Sequence, residues 1–143
     1  MDTDLPEPDR VDGAPHPRET PVLLGQDGAQ SDFLAAFNSD RLHHGWLLTG
    51  PRGVGKATLA WSIARFLLAT PEADANDMFG APPEPTSLAI DPENPVARRM
   101  NAGAEPGLFV LRRPYDEKTK KLRQQITVDE VRRLKNFFAM SAA

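Results

Sequence analysis

A chain of 143 residues without cysteine has room for one ordinary domain, and it excludes a disulfide framework and a cysteine-ligated zinc site. A net charge of −3 and a pI of about 5.6 demand neither a nucleic-acid nor a membrane partner. No apolar run is long enough for a membrane span and the N-terminus is acidic, unlike a signal peptide, so a soluble cytoplasmic protein is expected.

Residues 1–20 hold six acids (Asp2, Asp4, Glu7, Asp9, Asp12, Glu19) against two arginines, and four prolines fall within residues 1–18. With almost no large apolar groups, such a segment buries too little to offset its ordering entropy. A disordered tail over residues 1–20 is expected, with the folded part starting near Pro21-Val22-Leu23-Leu24-Gly25. From Gln26 to Asn38, Ala29, Phe33, Ala36 and Phe37 share one helical face, and Asn38-Ser39-Asp40 stops the helix. Arg41 to Gly45 then leads into the strand-like run Trp46-Leu47-Leu48.

Next comes Gly50-Pro51-Arg52-Gly53-Val54-Gly55-Lys56-Ala57-Thr58, a glycine-rich loop ending in lysine, followed by a helix-like run from Leu59 to Ala69. Strand, loop and helix in this order are the setting of a phosphate-binding P-loop. Glycines let the backbone turn so that successive N–H groups converge on phosphate oxygens, and the helix adds its N-terminal donors. Lys56 would reach the terminal phosphates as a point charge. Residue 57 departs from the pattern: a Ser or Thr hydroxyl should hold Mg²⁺ there, and the chain has Ala57. Thr58 lies about 100° further round the helix and does not take over directly. Nucleotide binding is expected to be weak or vestigial, with a doubtful role for Mg²⁺ and no efficient hydrolysis.

In the following helix Leu59, Ile63, Phe66 and Leu67 share a face, with Trp61 and Arg65 elsewhere. Trp61 is read as packing rather than as a platform for a base. Residues 70–107 contain seven prolines and few periodic apolar residues, which suggests a long insertion over 70–106 with a short helix around Val96 to Asn101. Gly107-Leu108-Phe109-Val110-Leu111 suits a strand buried on both faces of a parallel sheet. Residues 112–135 carry nine bases against four acids, with a turn near Asp116-Glu117-Lys118. Charge runs of this kind are more often solvated faces than nucleic-acid contacts. Thr127-Val128-Asp129-Glu130 reads as a capping box opening a last helix, with Val128, Val131, Leu134 and Phe138 on its apolar face. His43-His44 has no ligand cluster around it, and no metal site is assigned. An ATPase of this type also needs an apolar strand ending in Asp, and none follows residue 107, so the chain is expected to be the N-terminal part of something longer.

The stretch from Arg41 to Ala60 closely resembles the bacterial clamp-loader branch of the AAA+ ATPases, and within it the delta-prime subunits of DNA polymerase III. Leu24-Gly25-Gln26 looks like the box that leads into this family's first helix and lies near the nucleotide base. Ile126-Thr127-Val128-Asp129-Glu130-Val131-Arg132-Arg133-Leu134 resembles the helix before its Walker B strand. The resemblance covers residues 21–69 and 107–140 and leaves out the acidic tail and the proline-rich insertion. It implies an α/β P-loop domain with a parallel sheet, truncated before the Walker B strand. It also implies a mainly structural, stator-like subunit that has no catalytic residues of its own. Such a subunit works in a hetero-oligomer of loader subunits that sets the sliding clamp on primed DNA during replication. The resemblance carries over a nucleotide site of Gly50, Pro51, Arg52, Gly53, Val54, Gly55, Lys56, Ala57 and Thr58, with ATP bound weakly. The zinc-binding cysteines common in loader subunits are absent. The alternative is a nucleoside monophosphate kinase, which also reads Gly-Lys-x-Thr but carries its loop almost at the N-terminus. A third reading is an interaction scaffold that binds no nucleotide.

Overall fold

Helix α1 (Asp27–Asn38) forms where apolar side chains recur at helical spacing. It stops at Ser39, whose N–H donates to Ala35 O over 3.0 Å, and at Asp40, whose φ of 56° lies in the left-handed region. Its buried stripe is rotated from the expected one. Phe33 and Leu34 are buried and Phe37 packs on them, whereas Ala29 is exposed. In this computed structural model residues 5–70 and 83–141 are described.

Helix α2 (Lys56–Ala69) begins at the lysine itself. Leu59 and Phe66 are buried, Ile63 packs beside them, and Leu67, expected on the same face, is exposed. Arg65, expected elsewhere, is 8% exposed. Its Nη2 donates to Arg18 O over 2.5 Å, in the short 3-10 turn Pro17–Glu19, and burial pulls its pKa down. The core is an aromatic cluster: Phe66 meets Phe37 at 4.9 Å and Phe33 at 6.3 Å between centroids, and Phe33 meets Trp46 at 5.2 Å, all edge to face.

Helix α3 (Pro95–Asn101) falls where a short helix is expected inside the proline-rich stretch. Asn94 Oδ1 accepts from Val96 N over 2.9 Å, and Pro95 sits at the first turn, where its missing N–H costs nothing. The stretch also contributes to the core: Ala97, Met100 and Leu88 are buried, and Ile90 packs against the α1–α2 cluster. The rest of the expected insertion, residues 71–82, lies outside the described residues. Residues 17–104 form one compact unit.

The second unit comprises residues 1–16 and 105–143. Strands β1 (Tyr115–Asp116) and β2 (Lys121–Leu122) pair antiparallel around the expected turn. Asp116 Oδ1 accepts from Lys118 N over 2.9 Å, which closes that turn, and Arg123 Nη2 lies 3.1 Å from Asp116 Oδ2. Helix α4 (Val128–Ser141) starts within the expected capping box. Of its expected apolar face, Val128, Val131 and Phe138 are exposed and Leu134 is half-buried, as is Phe137, which was not expected on that face. Phe137 lies 5.5 Å from Phe109.

No parallel sheet is formed among the described residues. Among the described residues the one sheet is the β1–β2 pair, and it is antiparallel. Trp46–Leu48 and Gly107–Leu111, both expected as strands, are irregular stretches there. An apolar run is suited to a buried strand, but a strand exists only where a neighbouring backbone takes its hydrogen bonds. Nor are these runs buried on both faces: Leu47 is 86% exposed and Val110 is also exposed.

Candidate functional site

The loop from Gly50 to Gly55 turns on three glycines with positive φ, Gly50 at 152°, Gly53 at 86° and Gly55 at 99°. Other residues adopt such angles only under strain, so the spacing of these glycines sets the path of the loop. Gly55 is also the N-cap of α2, where its C=O accepts from Leu59 N over 2.9 Å. A side chain at Gly55 would meet Leu23 as well: a Cβ there would lie 2.5 Å from Leu23 Cδ1. The loop therefore closes directly against the segment preceding α1.

Lys56 folds back over the loop. Its Nζ donates to Gly50 O over 2.8 Å and to Pro51 O over 2.6 Å. The ammonium thus stands at the open side of the Gly50–Pro51 turn, at the positive end of α2. Ala57 and Thr58 follow in the first turn of α2 and are half-buried. Pro51 and Arg52 form an exposed tip, and Val54 is half-buried. Gln26 Nε2 donates to Val54 O over 3.1 Å, which ties the loop to the residue before α1. The nine expected site residues are brought together, and Leu23 and Gln26 join them. The sequence carried a signal for Gln26 only as part of the Leu24-Gly25-Gln26 box preceding a helix, and for Leu23 only as part of the run where the folded part starts.

A hollow of about 210 Å³ lies beside the loop, lined by Gln26, Ala29, Leu48, Val54, Gly55 and Lys56 among others. Trp61 is not in its lining, in keeping with a packing role. A larger hollow of about 460 Å³ lies between α1 and residues 84–88, and its lining includes Asp27 and Glu84 but no Lys or Arg. Two carboxylates without a cation repel a phosphate, so the smaller hollow is the better phosphate neighbour. The donors of the loop, a lysine and backbone N–H groups at a helix start, suit a polyphosphate. Residue 57 offers no oxygen to a metal ion.

His43 and His44 are exposed, and His43 O accepts from Trp46 Nε1 over 3.1 Å. The histidine that joins other charged groups is His16, which the sequence did not single out. It is fully buried, with Nε2 3.0 Å from Asp9 Oδ2 and 3.5 Å from Glu7 Oε2. Arg112 Nη1 lies 3.0 Å from Asp9 Oδ1 and its Nη2 3.4 Å from Glu7 Oε1, while Arg10 Nε lies 3.1 Å from Glu7 Oε2. Glu7, Asp9 and His16 are close enough together to ligate a cation. Arg112 already faces both carboxylates and Arg10 faces Glu7, so the arrangement is an ion-pair knot. Burial pushes the Asp9 carboxyl up, but the hydrogen bond and charge of His16, helped by Arg112, outweigh it and hold its pKa below the usual carboxylate value. These contacts belong to residues expected in a disordered tail, and charge pairing there takes the place of apolar burial.

Comparison with known proteins fixes the class. Residues 25–143 match the family model described as DNA polymerase III, delta subunit, and the chain belongs to that family of AAA+ clamp-loader subunits. It is also similar to two proteins named DNA polymerase III subunit gamma. The one from Buchnera aphidicola subsp. Schizaphis graminum (strain Sg) is 39% identical over 51 residues, 36% of this chain and 14% of the relative. The one from Buchnera aphidicola subsp. Acyrthosiphon pisum (strain APS) is 38% identical over 45 residues, 32% of this chain and 12% of the relative. The chain therefore spans 14% and 12% of the length of these relatives. No solved structure matches it. Among the described residues, no helix is long and apolar enough to cross a membrane.

Proposed function

We propose that this chain is part of a delta-prime-type subunit of the DNA polymerase III clamp loader, with a mainly structural role in the assembly. Its loop, residues 50–58, holds the phosphates of ATP weakly and does not support efficient hydrolysis. Its partners are other loader subunits, and it meets the sliding clamp and primed DNA through them, in the cytoplasm. The observation that supports this reading is the pairing of a retained lysine with a missing hydroxyl. Lys56 sits over a glycine-turned loop at the start of α2, and the next position is Ala57. The loop keeps the groups that attract phosphate and lacks the one that orients Mg²⁺.

Calorimetry with ATP, ADP and AMP, with and without Mg²⁺, tests the reading. Expected is weak ATP uptake that Lys56→Ala abolishes and that Mg²⁺ strengthens little. Ala57→Thr is expected to make the affinity depend on Mg²⁺. Tight AMP binding would instead support a nucleoside monophosphate kinase. ATP uptake indifferent to Lys56→Ala would remove the loop from the site, and an absence of any nucleotide binding would leave a scaffold.

A further inference from the structure

We infer that Gln26 is a positioning residue for the phosphate loop, acting through the Val54–Gly55 peptide. The inference rests on the nucleotide-binding reading above and assigns a task that the loop residues do not perform for themselves.

The residue before a helix usually turns its side chain onto the helix's own first N–H groups. Gln26 occupies that place before α1 and makes no such cap. Its side chain instead reaches 28 residues along the chain, where Nε2 donates to Val54 O over 3.1 Å. Val54 stands between Gly53 and Gly55, both in the left-handed region. The Val54–Gly55 peptide has glycine on its C-terminal side and a further glycine just before Val54, so sequence alone leaves its direction only loosely set. The bond from Gln26 removes that freedom. A trans peptide is planar with its C=O and N–H pointing in opposite directions, and there is no cis bond among the described residues. Holding Val54 C=O toward Gln26 therefore points Gly55 N–H the other way. Gly55 directly precedes Lys56, so this N–H is among the donors that a loop of this type offers to phosphate. Leu23 acts with Gln26 by packing where a Gly55 side chain would otherwise stand. Gly25 lies between the two at φ 78° with open space around it, so the turn that presents both residues rests on the freedom of that glycine.

Gln26→Met keeps the length of the side chain and removes the donor. Gln26→Glu replaces the donor with a carboxylate that repels Val54 O. Both are expected to weaken ATP and ADP binding about tenfold, the worth of one hydrogen bond at a charged site, and to leave adenosine binding unchanged. In a Lys56→Ala background, where phosphate capture is already lost, Gln26→Met is expected to add nothing. Equal losses for ATP and adenosine would overturn the inference, because Gln26 would then serve the base or the fold in general. A second measurement needs no nucleotide. Trypsin cleavage after Arg52, at the exposed tip of the loop, is expected to speed up several-fold in Gln26→Met, while cleavage after Arg123 in the hairpin stays constant. Unchanged cleavage at Arg52, or an equal rise at both sites, overturns the brace. If the unaltered chain takes up no ATP, the nucleotide-binding reading fails, and the proteolysis still decides whether Gln26 holds the loop.

Discussion

Two helices of equal length show how differently one kind of pattern can be used. α2 and α4 each span 14 residues, and each carries apolar side chains at helical spacing. In α2 the pattern is satisfied: Phe66 is 1% exposed and meets the rings of Phe33 and Phe37. In α4 the corresponding ring, Phe137, is half-buried against Phe109, and its neighbour Phe138 is 61% exposed. Periodicity states which residues can be buried together. Whether they are depends on what lies opposite, and Val128, Val131 and Phe138 of α4 stay exposed. The second unit relies on charge instead, with Arg112 and His16 drawn to Glu7 and Asp9.

The largest effect expected from this contrast is at Phe66. Phe66→Ala should cost about 3–5 kcal/mol, because the ring is enclosed and its removal leaves a cavity. Phe137→Ala should cost well under half of that, since a partly exposed ring loses less burial. Urea unfolding followed by circular dichroism measures both, and equal losses would break the contrast. Arg65→Met should come next, at about 2 kcal/mol, from the lost charge-assisted bond to the carbonyl of Arg18. Measured by tryptophan fluorescence, it reports on the first unit, since Trp46 and Trp61 both lie there. A neutral outcome would mean that the stem of Arg65, and not its charge, is what the turn requires.

The smallest effect depends on pH. The folded-state pKa of Asp9 is depressed below its ordinary value of 3.8. Its contribution is therefore fully present above that value and is lost as pH falls through the lower, folded-state pKa. Asp9→Asn should lower stability at neutral pH and should flatten the acid limb of the stability profile below pH 3.8. An acid limb that Asp9→Asn leaves unaltered would show that the knot around His16 does not hold the second unit together.

Much of this was legible in the sequence, for identifiable reasons. The loop was clear because its glycines and lysine are fixed by backbone geometry at set spacings. α1, α2 and α4 were anticipated from periodicity or capping, with α1 correct to one residue at its start, and a short helix was expected near α3 inside the proline-rich stretch. Burial was less legible. The inward side of α1 includes Leu34 rather than Ala29, because the core meets that helix from a slightly different direction than the pattern suggests. Leu88 and Ile90 sit in a proline-rich stretch with no periodicity, so nothing local marked them as core. The His16 knot joins residues about a hundred positions apart, and the Gln26 bond crosses 28. Side-chain pairs at such separations leave no trace in local spacing. Trp46–Leu48 and Gly107–Leu111 are irregular for the converse reason, since an apolar run announces a suitable strand without supplying its neighbour.

The folded-back lysine has a consequence for selectivity. Because Lys56 is already held by the carbonyls of Gly50 and Pro51, any anion that reaches the loop enters by exchange and not by addition. Two partial charges must be surrendered before the ammonium can turn outward. Each such bond is worth about 1.5–3 kcal/mol. A singly charged ion has little with which to outbid an internal competitor of that size. In the proposed nucleotide site a polyphosphate would, because it would reach the ammonium and the backbone donors together. In the proposed nucleotide site the loop carbonyls would therefore act as a threshold, keeping the lysine occupied against small anions and releasing it to a ligand with several charges.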